Sequence, residues 1–286
     1  MTTEGKSSWA LGLIRKHCDA CATQGWRKEI SRRRRRSLRP LPHDREAMRH
    51  LCVAIAYSQS ARAAQIVGLV EIPVFQSAFA DFNPVALAQR TPTAILREYW
   101  SRLGHLRFKG KILRILECPR VMNGIIRDCG SFAAYLKSFG IPERIRSQAD
   151  LDRFWQRFDE LQRDFQRRRM PFFSRTTSLL QLLLDLDFDS VKPDLIVMRL
   201  VRRIGIVNRE TRDPASRECV RVLQSYSIGQ SCRAPELDLA LLAFGGQSGA
   251  SQLLTRKFCP ASDPCHHAAC PVGANRLCSA RRLRTR

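Results

Sequence analysis

Apolar positions recur three and four residues apart along most of the chain, the spacing of helices buried on one side. From Glu46 to Gln59 the face is Met48, Leu51, Cys52, Ile55 and Ala56, and Ile66, Val67, Leu69 and Val70 continue a second helix towards Pro73. Short amphipathic helices then alternate with turns at Asn83-Pro84, Thr91-Pro92 and Gly104. Ser147 to Arg169 reads as one charged helix with a stripe of Leu151, Phe154, Trp155, Phe158, Leu161 and Phe165, and the bland reading of those aromatics is core. After a predicted loop at Asn208 to Arg217, Cys219 to Ser227 predicts another helix, and Leu237, Leu239, Leu241, Leu242 and Phe244 mark a packing helix. Alternating strand patterns are nearly absent, so the expected class is all-α.

The pattern is densest from Val191 to Ile206. Pro193 suits a first helical turn, because its missing N–H costs nothing there. Asp194 follows at the positive end of the helix dipole, and Gly205 predicts the end of the helix. Leu195, Val197, Met198, Leu200, Val201 and Ile204 predict a largely buried helix beside Arg199, Arg202 and Arg203. A carboxylate in a first turn is commonly only a cap, and that reading stands beside a functional one.

Charge narrows the partners. Lys and Arg number 49 against 26 acidic residues, a formal net charge of +23, and arginine dominates the excess. Such a field needs an acidic partner, for which nucleic acid and an anionic membrane compete. No apolar run suits a bilayer span and no secretory leader is evident, so the expectation is a cytoplasmic monomer on double-stranded DNA. Residues 1–42 read as a basic, mobile arm with a short helical turn from Trp9 to Ile14. Its run Arg32, Arg33, Arg34, Arg35 and Arg36 would be either a DNA-gripping element or a solvated tail. Residues 43–250 read as the helical core and 251–286 as a separate cysteine-bearing loop with a basic tail.

Eleven cysteines in such a chain point to metal or free thiols before disulfides. Cys259, Cys265, Cys270 and Cys278 lie in twenty residues among Pro260, Pro264 and Pro271, a segment too short to build its own core. A metal held by four thiolates would fold it. His266 and His267 are weaker ligand candidates, as are His17, Cys18 and Cys21. Cys52, Cys118, Cys129, Cys219 and Cys232 sit among apolar residues and read as core.

The string KPDLIVMRLVRRIGI, Lys192 to Ile206, resembles the signature helix of helix-hairpin-helix DNA glycosylases, the endonuclease III superfamily. The resemblance implies a two-lobed all-α fold and makes Asp194 the catalytic carboxylate. FNPVALAQRTPTAILREYWSRLGHLRFKGKI and GSFAAYLKSFG resemble the DNA-3-methyladenine glycosylase I family over residues 43–140. Upstream, IAYSQSARAAQ resembles the superfamily's plug segment, where Gln59 would fill the gap left by an extruded base. Tyr57 and Gln65 stand where the methyladenine family has Glu and Trp, so alkylated purine is the family default, and a bulky modified pyrimidine of the kind found in phage genomes is the alternative. RRMPFFSRTTS falls at the hairpin, with Phe172 and Ser174 where glycines are expected. Ser174, Arg175, Thr176 and Thr177 would meet phosphate, one of the threonines capping the next helix. Arg175 replaces the lysine nucleophile of bifunctional relatives, which implies a monofunctional enzyme. The closing cysteines resemble the loop that holds a [4Fe–4S] cluster, with zinc as the alternative and reduced thiols as the bland reading.

The expected function is therefore a DNA glycosylase that flips out a damaged or modified base and hydrolyses its glycosidic bond, in repair or in defence. The rivals are a non-enzymatic, metal-clasped DNA-binding protein and, on the arginine run alone, an RNA-binding protein.

Overall fold

The computed structural model describes residues 3–35, 41–58, 63–230, 232–247, 249–256, 259, 270–275 and 277–278. They are helical, with no strand among the described residues and one isolated bridge between Ala22 and Leu254. In chain order the helices are α1 (Thr3–Ala20), α2 (Gln24–Arg35), α3 (Asp44–Ala56), α4 (Ala63–Glu71) and α5 (Pro73–Ala78). Then come α6 (Pro84–Ala88), α7 (Pro92–Leu103), α8 (Gly110–Cys129), α9 (Phe132–Ser138) and α10 (Gln148–Arg167). The last are α11 (Thr176–Asp185), α12 (Leu195–Arg203), α13 (Arg212–Gly229), α14 (Ala234–Phe244) and α15 (Pro271–Ala274). No helix among the described residues is long and apolar enough to cross a membrane.

The chain divides into two compact units, Met1–Leu38 with Glu143–Asp152 and Asp187–Arg286, and Arg39–Pro142 with Arg153–Leu186. This corrects the expected three-part division. The described C-terminal residues belong with the N-terminal helices, and the region expected as one core is shared between the units.

The first unit is built around α14. Ala234, Leu237, Leu239, Ala240, Leu241, Ala243 and Phe244 are all buried, as are the acids Glu236 and Asp238, so the helix is buried around most of its circumference, and α1, α2, α12 and α13 pack against it. The mobile arm is corrected here. Leu11, Ile14 and Cys18 of α1 and Trp26 of α2 are buried, and that apolar area offsets the ordering entropy an unpartnered arm could not meet. Arg33 and Arg34 also find acids far along the chain. Arg33 Nη1 donates to the Pro235 carbonyl at 2.8 Å and lies 3.2 Å from Asp238, while Arg34 Nη2 donates to Glu236 at 2.8 Å. Arg32 pairs with Glu29 one turn away.

Beneath this contact lies a charged cluster that α14 could not bury unpaired. Arg233, 4% exposed, donates Nε to Asp189 Oδ1 at 2.7 Å, Nη1 to the Arg33 carbonyl at 2.6 Å and Nη2 to the Asp187 carbonyl at 2.7 Å. Asp189 Oδ2 accepts the Ile145 amide at 2.9 Å.

In the second unit α8 packs against α3, α6 and α9, and α11 packs on α3. Asp44 Oδ1 accepts the Phe132 amide at 2.8 Å, fixing the start of α9 to the start of α3. The stripe expected on α10 is core: Phe154, Trp155, Phe158, Leu161 and Phe165 are buried. Tyr135 of α9 donates to Asp164 of α10 at 2.7 Å, and Arg168 joins Asp164 to Asp128 with 2.8 Å contacts. Cys52, Cys118 and Cys219 are buried as expected, and burial pushes each thiol well up, whereas Cys129 and Cys232 are only half-buried. The loop expected at Asn208 to Arg217 is shorter, because α13 begins at Arg212.

Candidate functional site

Asp194 is the N-cap of α12, with an extended backbone of φ −82° and ψ −178°. Its Oδ1 accepts the Ile196 amide at 2.9 Å and the Val197 amide at 3.0 Å, and its carbonyl accepts the Met198 amide at 2.8 Å. Two otherwise orphaned amides thus fix one oxygen at the positive end of the helix dipole. Pro193 lies before the cap, not in the first turn, because Asp194 takes the cap for itself. α12 ends as Gly205 (φ +74°) donates to Arg202 O at 3.1 Å and Ile206 to Val201 O at 2.8 Å, the paired bonds of a Schellman end. Val197, Leu200 and Val201 are buried, yet Leu195 is 83% exposed beside the carboxylate, so the helix is amphipathic where the sequence predicted burial.

A second carboxylate faces this end. Asp238 Oδ1 accepts the Lys192 amide at 3.0 Å, and burial, with Asp194 adding like charge, holds the Asp238 carboxyl above the usual range. The backbone that delivers Asp194 is therefore tied directly to α14.

The far end of α12 reaches the cysteines. Arg199 Nη2 donates to the Gly245 carbonyl at 2.7 Å and the Cys259 carbonyl at 3.1 Å, and Arg203 Nη1 lies 3.1 Å from Cys259 Sγ. Cys259 and Cys270 are buried, Cys278 is half-buried, and both neighbouring thiols act electrostatically on Cys270. Arg199 Nε is buried with no acceptor among the described residues. Two fixed cations thus lie beside Cys259, while no three His, Cys, Asp or Glu side chains among the described residues gather into a metal-binding group. Cys265 lies outside the described residues, as do His266 and His267. At the other end of the chain Cys18 donates to the Ala240 carbonyl at 3.7 Å, and burial pushes its thiol up to about 12. Cys21 Sγ lies 3.3 Å from His17 Nε2.

The segment between α10 and α11 does keep unusual backbone. Arg169 (φ +55°) closes α10, and Phe172 (φ +67°) holds a left-handed conformation at a position where the resemblance places glycine. The threonine cap is a correction. Arg175 occupies the N-cap of α11 without a side-chain bond, while Thr176 is buried and its Oγ1 accepts from Gln162 Nε2 at 3.0 Å. Gln162 also donates to the Ser174 carbonyl at 3.1 Å, so Thr176 is a packing contact and only Arg175 is exposed for phosphate, beside the half-buried Ser174 and Thr177. Tyr57 is the half-buried C-cap of α3, and burial, with Glu71 adding, raises its hydroxyl. Gln59 and Arg36 lie outside the described residues, as does the side chain of Gln65.

Two features of the second unit escape the sequence reading. The turn between α7 and α8 holds Arg107 at φ +67° beside Phe108, 47% exposed, with Lys109 Nζ 5.8 Å from the Trp100 ring centroid and Arg102 5.4 Å from that of Tyr99. Interleaved cations and aromatics of this kind suit phosphate contact and base stacking. The run Leu106-Arg107-Phe108-Lys109-Gly110-Lys111 carried that signal.

The second is Lys111, fully buried, with Nζ donating to the Ala56 carbonyl at 2.7 Å. Burial, then repulsion from Arg107 and Arg114, lowers its pKa from 10.5 to about 8. Between those values the unfolded chain keeps a proton that the native chain has released, so stability rises with pH across that window. Lys111→Met should abolish this gain, on the order of 3 kcal/mol, in urea denaturation at pH 7 and pH 10. Parallel behaviour of the two proteins would contradict the lowered pKa of Lys111.

No protein-family model, curated protein or solved structure matches this chain.

Proposed function

We propose that this chain is a monofunctional DNA glycosylase of helix-hairpin-helix type. The observation that carries the reading is Asp194, held by two amides at the positive end of α12 inside the signature string. Such a carboxylate is pre-oriented to stabilise a developing oxocarbenium sugar and to position water. In the reaction the C1′–N bond breaks, the water oxygen bonds to C1′, and the water's proton passes through the Asp194 carboxylate towards the departing base. The left-handed backbone at Phe172, the uncapped first turn of α11 and the basic-aromatic turn between α7 and α8 support duplex DNA as the partner. Gln59 would fill the gap left by the extruded nucleotide, with Tyr57 and Gln65 lining the base pocket. Alkylated purine is the default substrate and a bulky modified pyrimidine the alternative.

Cys259, Cys265, Cys270 and Cys278 would hold a [4Fe–4S] cluster or, as the runner-up, zinc. Either supplies the cross-link that folds the C-terminal segment. Arg199 and Arg203 would carry that rigidity into α12. Purified protein should hold one metal centre per chain, read by iron and zinc analysis and by absorbance near 400 nm. Metal-free, folded protein would remove the centre.

One observation favours the rival, a non-enzymatic DNA-binding protein: both bonds to Asp194 are those of an ordinary cap. Abasic sites formed in modified duplex DNA separate the two readings. Strands should stay intact until alkali is added, and borohydride should trap no adduct, because Arg175 cannot form an imine. A trapped band lost in Lys192→Ala or Lys111→Met would identify a lyase.

A further inference from the structure

We infer that the first unit carries a phosphate-binding cavity between the end of α1 and the outer face of α2, separate from the Asp194 site. Its volume is about 300 Å³, at the small end of ligand pockets. Arg27, Ser31 and Arg35 come from one wall, four residues apart on α2 and so on one face of the helix, with Arg34 beside them. Asp19 of α1 and Trp26 of α2 also line it.

The charges are unequal. Three guanidiniums meet one carboxylate, and Asp19 already accepts Trp26 Nε1 at 3.0 Å. Arg34 is neutralised by Glu236. Arg27 and Arg35 are exposed and have no acidic partner among the described residues. Folding of the arginine run thus divides it: Arg33 and Arg34 hold α2 to α14, Arg32 pairs with Glu29, and Arg35 is left on the cavity with Arg27 from two turns earlier on α2. Ser31 adds a hydroxyl donor between them. The Trp26 ring is 2% exposed, so it offers no stacking platform. The cavity accordingly grips a phosphate group and reads no base, with forked guanidinium donors matched to phosphate oxygens. The phosphate belongs either to a nucleic-acid backbone or to a small phosphorylated ligand.

The test uses the full chain, wild type against Arg27→Gln/Arg35→Gln, with Arg120→Gln/Arg153→Gln as a charge-matched control. Affinity for a short fluorescent duplex without modified bases is followed against salt, and Tm is followed with inorganic pyrophosphate. If the ligand is nucleic acid, the Arg27/Arg35 variant should lower the magnitude of the log–log salt slope by about 2 and the control should not. If it is a small ligand, pyrophosphate should raise the Tm of wild type and control but not of the variant. Equal Tm values without ligand verify folding, as expected for exposed, unpaired side chains. An unchanged slope with no pyrophosphate shift overturns the site, and so does an equal loss in the control. Because neither arm requires base removal, failure of the glycosylase reading would leave this result intact.

Discussion

Asp194→Asn should leave the fold intact and abolish base release. Asn and Asp are about equally good N-caps, so stability should change by less than roughly 0.5 kcal/mol. The amide oxygen of Asn can still accept from Ile196 and Val197. What it lacks is the negative charge on a developing cation and the capacity to take a proton from water. That loss should lower the single-turnover rate at least ~10²-fold, with DNA affinity within a few-fold of wild type. Asp194→Ala should lose the same activity and in addition about 1 kcal/mol of stability. The pair separates the two roles: a residue that only caps would tolerate Asn and suffer from Ala. Activity above a tenth of wild type in Asp194→Asn would end the catalytic assignment.

The largest effect on stability should come from Arg233→Met. Arg233 is the shared donor for Asp189 and for the carbonyls of Asp187 and Arg33. Its removal strands a buried carboxylate, a loss that typically costs about 3–5 kcal/mol. The pH dependence has a definite sign. Burial already raises the Asp189 carboxyl above its usual range even with Arg233 beside it, and without the cation it should rise further. A raised carboxyl binds its proton more readily in the native state, so its favourable contribution is full at low pH and is lost as pH rises through the native pKa. The destabilisation of Arg233→Met should therefore be smaller near pH 4 than at pH 7. Asp189→Asn in the same chain should recover part of the neutral-pH loss. Guanidinium melts at both pH values measure this, and equal losses at the two would show that the cost is packing and not stranded charge.

These cases show what the sequence could and could not carry. The stripes of α10 and α14 were legible because each repeats within one helix, and Gly205 marked the end of α12 because only a local backbone rule was needed. The fate of the arginine run was not. Its partners Glu236 and Asp238 stand more than two hundred residues away, so the run reads locally as self-repelling. Lys111 was hidden for a similar reason, since the carbonyl that satisfies it lies on another helix. At the α11 start, two threonines invited a local cap, but Gln162 on α10 claimed the hydroxyl of Thr176. Of the candidate site, the cap geometry of Asp194 followed from its position before an apolar run. Its link to the cysteines did not, because it runs through Arg199 and Arg203 across about sixty residues.

The most direct test of the central claim is a balance of released base against abasic sites. Wild-type protein would be incubated with duplexes carrying alkylated purines or bulky modified pyrimidines, each beside its unmodified parent. Free base would be quantified by mass spectrometry and abasic sites by an aldehyde-reactive probe. At least one modified duplex should yield free base and abasic sites in equal amounts, with intact strands and no release by Asp194→Asn. Tight binding of every duplex with no free base from any would contradict the glycosylase account and leave a DNA-binding protein in its place.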